Sequence, residues 1–195
     1  MRPTSPVILF AALTALAGSQ GANAATVWNE SVNGDFSNSG LAPTSLTLNA
    51  GSNQIIGSTG AGDLDYFTFE LSAGQALTSL RVLSNTVVSG QFSFLGMQAG
   101  PQVTVSPSGA GSEALLGWTH YATGDSGLDI LVRIAAGGVL PAGKYSVWLQ
   151  DTGGPADYGF DFGVTSAVPL PPSLLLMAST LLGFGGIFRR RISAG

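Results

Sequence analysis

Two aspartates one residue apart, in Gly62-Asp63-Leu64-Asp65, form the pairing in this chain best suited to a metal ion. Calcium takes about six to eight hard oxygens, and loops of glycine and aspartate supply them as carboxylates and backbone carbonyls. Asp125 and Asp129, or Asp151 and Asp157, would add ligands from neighbouring turns. The chain has neither an EF-hand loop nor a Gly-Gly-x-Gly-x-Asp repeat. Aspartate in a glycine-rich turn also bonds to its own backbone, so turn and solubilising roles are the first expectation for most of these acids. If calcium binds, Asp63 and Asp65 are the residues expected to hold it. No other cofactor is called for.

Catalysis finds less support. Two carboxylates flanking a sugar bond suffice for glycoside hydrolysis, but Asp63, Asp65, Glu70, Asp125 and Asp129 sit in no aromatic-lined motif. The single histidine, His120, lies in Gly117-Trp118-Thr119-His120-Tyr121 without a nucleophile elbow to serve. A triad needs a base beside a nucleophile and a third group to orient the base. His120 is therefore expected at a strand end, facing solvent or packing on Trp118. Trp118 and Trp148 have rings that would stack on sugar, although a tryptophan in an alternating strand is more often core. The reading is non-enzymatic.

The elements that must position these residues are strands. Residues 65–71 alternate, with Phe67, Phe69 and Leu71 on one face and Thr68 and Glu70 on the other. Residues 144–150 and 158–164 do the same, the latter setting Tyr158, Phe160, Phe162 and Val164 against glycine and aspartate. Weaker strands are expected over 45–49, 76–82, 91–95, 114–121 and 128–134. Turn signals such as Ser72-Ala73-Gly74, Pro141-Ala142-Gly143 and Gly153-Gly154-Pro155 separate them. No stretch between the two apolar ends carries a sustained helical stripe. Eight or so short strands between turns predict an all-β fold, an antiparallel β-sandwich of one domain over 25–166.

All 11 acidic residues lie in that stretch, against only three of the seven basic ones, Arg81, Arg133 and Lys144, which leaves it at −8. An acidic surface of this kind disfavours nucleic acid and anionic lipid. With no cysteine in the chain, thiolate metal sites and cysteine nucleophiles are excluded.

The two ends read as addresses. Arg2, an apolar stretch over 7–17 and Ala22-Asn23-Ala24 have the plan of a secretory signal peptide covering 1–24, with cleavage before Ala25. At the other end, Val168-Pro169-Leu170-Pro171 precedes an uncharged apolar helix over 173–188 and then Arg189-Arg190-Arg191. The core of that helix, 174–188, spans about 22 Å, short of the roughly 30 Å hydrocarbon layer, and snorkelling arginines would close the gap. The arginines are expected to stay cytoplasmic as a basic stop. Both a plain membrane anchor and a processed tail are consistent with this, and both place the body of the chain outside the cytoplasm.

This tail resembles the PEP-CTERM sorting signal of Gram-negative bacteria, which exosortase recognises. Val168, Pro169 and Pro171 match its Val-Pro-Glu-Pro motif, whereas Leu170 stands in place of the glutamate. The resemblance implies an inner-membrane precursor, exosortase as partner, and release to the cell surface or matrix. Within the body, Gly62-Asp63-Leu64-Asp65-Tyr66-Phe67 leading into Ser72-Ala73-Gly74 looks like the opening of bacterial pre-peptidase C-terminal domains. Leu140-Pro141-Ala142-Gly143-Lys144-Tyr145 is similar to their closing hairpin, with nothing matched over 84–138. That implies a jelly-roll-like sandwich serving as an accessory module.

Together these readings give an exported protein flanked by a signal helix and a C-terminal transmembrane helix. The sorting resemblance implies a structural or adhesive role in exopolysaccharide or biofilm. The alternative is a carbohydrate- or calcium-binding sandwich module.

Overall fold

The computed structural model describes residues 24–167. The signal segment, the sorting motif at 168–171, the helix expected over 173–188 and the arginines at 189–191 lie outside the described residues. Among the described residues no helix is long and apolar enough to cross a membrane.

Two five-stranded sheets face each other. The first contains β1 (Ala25–Asn29), β3 (Gly51–Thr59), β10 (Ala156–Ser166) and β5 (Gln75–Val82) in that order, with β6 (Val87–Val88) also pairing β10. The second runs β2 (Thr44–Leu46), β4 (Leu64–Leu71), β9 (Gly143–Asp151), β7 (Ser93–Ala99) and β8 (Gly117–Tyr121). Between the sheets Phe67 and Phe69 of β4 meet Phe162 of β10 edge-on, with ring centroids 5.9 and 5.7 Å apart. Tyr121 meets Phe160 in the same way at 5.0 Å. The alternation in 65–71 and 158–164 thus encodes facing sides of one core, built on offset and edge-to-face ring contacts.

The sandwich is all-β as expected, but its sheets are mixed. The edge strands β1 and β2 run parallel to β3 and β4. The cause is the path of the chain, because strands β1 to β5 alternate between the two sheets. An antiparallel hairpin joins consecutive strands of one sheet, whereas a strand revisited after a crossover can pair parallel. Only β7 and β8 are consecutive and paired.

One expected strand fails and one strand is unexpected, each for an identifiable reason. Residues 128–134 make only a single bridge, Asp129 with Arg81, before turning into a short helix, Leu131–Ile134. Asp129 Oδ1 accepts from the Leu131 and Leu80 amides at 3.1 and 3.0 Å, which starts that turn, while Leu131 and Ile134 drop into the core. Conversely β3, Gly-Ser-Asn-Gln-Ile-Ile-Gly-Ser-Thr, is too polar to read as a strand yet lies between β1 and β10. Its fully buried Asn53 donates its side-chain amide to the carbonyls of Asn49, Gly51 and Phe162, so the polar group is satisfied where it is buried.

Candidate functional site

Two places on this frame concentrate chemistry. One is the outer face of the second sheet, away from the core. There the register sets Trp148 of β9, Gly96 of β7 and Trp118 of β8 side by side, with Tyr66 of β4 beyond Trp148. The next row holds Gln150, Phe94 and His120. Gly96 makes the arrangement work. A Cβ there would meet the Phe94 ring at 3.0 Å, so the absent side chain lets Phe94 lie over the backbone between the two tryptophans. Phe94 stacks with Trp118 at 6.0 Å and tilts against Trp148 at 4.6 Å. Val103 and Val105, from the long connection between β7 and β8, bury Tyr66 and Trp148. Pro107, Ser108, Ser112 and Leu115 of that connection form the opposite wall.

The result is a groove enclosing about 330 Å³. Trp118 stands 52% exposed at its mouth, whereas Trp148 is buried at its base with its indole N–H unpartnered. His120 is half-buried, with Nδ1 3.2 Å from the Ser93 carbonyl and its ring against Phe92 and Trp118. The contact with Trp118 is the packing expected for it. The tryptophans divide the two expected roles between them, one in a core and one at the surface.

The second place is the end of the sandwich where β4 begins. Asp65 is completely buried, and its Oδ2 accepts a 2.8 Å hydrogen bond from the Tyr158 hydroxyl. Its Oδ1 has no partner. Glu30 and Asp35 approach it from the segment after β1, and one carboxylate oxygen from each of the three lies within 4.8 Å of the others. Trp28 stacks on Phe36 at 5.0 Å, and Phe36 packs on Phe67 at 5.0 Å. The Tyr66 amide donates to the Ser37 carbonyl. These contacts hold 35–37 alongside 65–67. Gly57 completes the site, because an added Cβ would collide with the Tyr158 hydroxyl and come within 2.7 Å of the Glu30 carboxyl carbon.

Burial, with the Glu30 charge next, pushes the Asp65 carboxyl up to about 8. Burial likewise raises Glu30, against amide hydrogen bonds from Ser58 and Phe36 that favour its charged form. Among the described residues, the charges acting on Asp65 are other carboxylates: Glu30, Asp63 and Asp35.

Of the expected pair, Asp65 is in this cluster, while Asp63 acts on it only through its charge. Asp63 occupies the preceding turn, its amide donating to the Gly60 carbonyl. Asp125 and Asp129 have turn roles, accepting from the Ala122 and Leu131 amides. Glu30 and Asp35 carry no signal in the sequence, since only the fold brings them to a residue about thirty positions away.

The fold and these two sites define an all-β sandwich with an aromatic groove and a buried acidic end. No protein-family model matches the chain, and no curated protein matches it. Among solved structures it is similar to Aeromonas hydrophila PliG, a periplasmic inhibitor of g-type lysozyme, at 18% identity and a TM-score of 0.36 over 63% of this chain and 96% of that one. The Salmonella Typhimurium PliG compares at 17% identity and a TM-score of 0.32, over 64% and 100%. Likenesses this loose carry no inference about function.

Proposed function

We propose that this chain is an exported, non-enzymatic protein of the cell surface or extracellular matrix that holds neutral polysaccharide in its aromatic groove. The observation that carries this reading is the half-exposed Trp118 ring standing over a cavity with a polar rim. The negative face of an indole attracts the C–H face of a pyranose ring, and Gln150, Ser108 and Ser112 offer donors and acceptors for its hydroxyls. A groove of this size with an apolar base and a few polar groups has the plan of a small-ligand site. The net charge of −8 over 25–166 repels acidic polymers, which favours uncharged sugars. None of the residues lining the groove is a carboxylate. Two-acid glycoside hydrolysis needs a pair of carboxylates at the sugar bond, so the lining favours a binding role for the groove.

Delivery follows from the ends of the sequence. The segment 1–24 directs export, and exosortase acts on the tail through Val168-Pro169-Leu170-Pro171, with Arg189-Arg190-Arg191 holding the precursor in the inner membrane. The test of binding is a glycan array with the full chain, repeated with Trp118→Ala. Retention of neutral glycans by wild type and loss by the variant is the expected result. Equal binding by both, or no glycan retained by wild type, overturns the reading.

A further inference from the structure

From the acidic end of the sandwich we infer a binding site for a divalent cation of calcium's size, held by Glu30, Asp35 and Asp65. It lies at the β4 end of the sandwich and is argued independently of the glycan groove. Its first support is spacing. One oxygen from each carboxylate lies within 4.8 Å of the others, and oxygens bound on opposite sides of a calcium ion at about 2.4 Å are at most about 4.8 Å apart. Three acids so close repel one another when ionised, a repulsion that a cation at their centre would offset.

The second support is independent of that spacing. Asp65 is 0% exposed, yet among the described residues its Oδ1 has no hydrogen-bond partner, while Oδ2 is fixed by Tyr158. A buried carboxylate oxygen left bare costs far more than one bonded to water, so an orphan of this kind marks a missing partner. It is not alone. Thr59 Oγ1 and the Tyr121 hydroxyl are also buried without partners. Tyr121 lies close enough to Asp65 and Thr59 for both to act on its hydroxyl. Tyr121 thus adds a further buried polar atom near Asp65.

The third support is rigidity. Glu30 is tied to β3 by the Ser58 amide at 2.7 Å, and Asp35 precedes Phe36, which is anchored between Trp28 and Phe67. A site on fixed elements loses little freedom when an ion enters. Asp63, which raises the local negative charge without joining the three, strengthens the field and not the coordination.

Terbium stands in for calcium and emits when a nearby aromatic side chain, here Trp28 or Tyr158, passes it excitation. The full chain in detergent, stripped by chelator, should give terbium luminescence on excitation of its aromatic residues, and calcium should abolish it more effectively than magnesium. Asp35→Asn removes a charged ligand from an exposed position and should weaken terbium binding about tenfold or more. Glu113→Gln, an exposed acid outside the cluster, should leave it unchanged. Absence of sensitised emission overturns the site. So does an Asp35→Asn protein that binds as tightly as wild type, or a Glu113→Gln protein weakened as much as Asp35→Asn. Because Trp118 lies outside the cluster, Trp118→Ala separates failure of the groove from failure of this site.

Discussion

The Tyr158 hydroxyl reaches from β10 of one sheet to Asp65 Oδ2 on β4 of the other, a 2.8 Å hydrogen bond across the sandwich. It fixes the carboxylate so that one oxygen is bonded and the other is left bare. The bond also joins the two sheets at their polar end, where the aromatic core gives way to Thr59 and Tyr121.

That geometry sets the pH dependence. Asp65 titrates near 8 when folded because burial and the Glu30 charge oppose its ionisation. Its unfolded value is that of an ordinary aspartate, so between about pH 4 and 8 the native state binds the extra proton. Stability from this group is therefore complete at low pH and is lost as pH rises toward 8, by at most about 1.4 kcal/mol per unit. Glu30 and Asp63 are raised as well and act with the same sign. In chelator, the melting temperature should fall from pH 5 to pH 8. Asp65→Asn, which keeps an acceptor for Tyr158, should flatten that fall. Parallel curves for the two proteins would remove Asp65 from the account.

The core makes a second prediction. Phe69 and Phe160 are both essentially unexposed and both lie among aromatic neighbours. Replacing either with alanine should cost roughly 3–5 kcal/mol. For a domain of this length, that lowers the melting temperature by roughly 10–20 °C. Calorimetry showing an unchanged transition would mean these rings do not carry the packing.

Period-two patterning exposed the facing sides of β4 and β10 because one surface of each is buried and alternation records that directly. Strand order was not legible. The chain changes sheets at most of its connections, so most pairings join distant residues and no hairpin fixes them. Strand β3 hid because Asn53 is satisfied in part by the Phe162 carbonyl of β10, a compensation visible only after folding. The groove was half legible. The sequence offered Trp118 and Trp148 as candidates, but which one is exposed depends on Val103 and Val105 covering the other. At the acidic end, Asp65 stood out through its turn motif, whereas Glu30 and Asp35 arrive by the parallel pairing of β1 with β3.

Gly57 tests how tightly that end is built. An added methyl would collide with the Tyr158 hydroxyl and crowd Glu30. Gly57→Ala should cost about 1–3 kcal/mol through overpacking. Removing the hydroxyl with Tyr158→Phe should relieve part of it. Denaturant titration of the single and double variants would then show a favourable coupling between the two sites. Strict additivity would mean that the methyl is accommodated elsewhere.

The proposed sorting of the tail makes the last prediction. Moving Arg189, Arg190 and Arg191 through a bilayer centre would cost about 2.5 kcal/mol or more for each. They should therefore stay cytoplasmic while 174–188 inserts, which holds Val168-Pro169-Leu170-Pro171 just outside the periplasmic face. Proline at 169 and 171 fixes φ and removes amide donors, so the proposed sorting route expects that stretch to be presented extended to a membrane-embedded protease. Leu170 replaces a glutamate in the motif this tail resembles, so processing here would rest on backbone shape and the prolines more than on an acidic handle. Replacing 168–171 with glycine and serine should leave full-length protein in the membrane fraction. Leu170→Glu should be cut at least as efficiently as wild type. Immunoblots of fractionated cells read both outcomes. A shortened, released product from the glycine–serine variant, or a wild-type chain that keeps its tail, would leave a membrane-anchored sandwich in place of a sorted one.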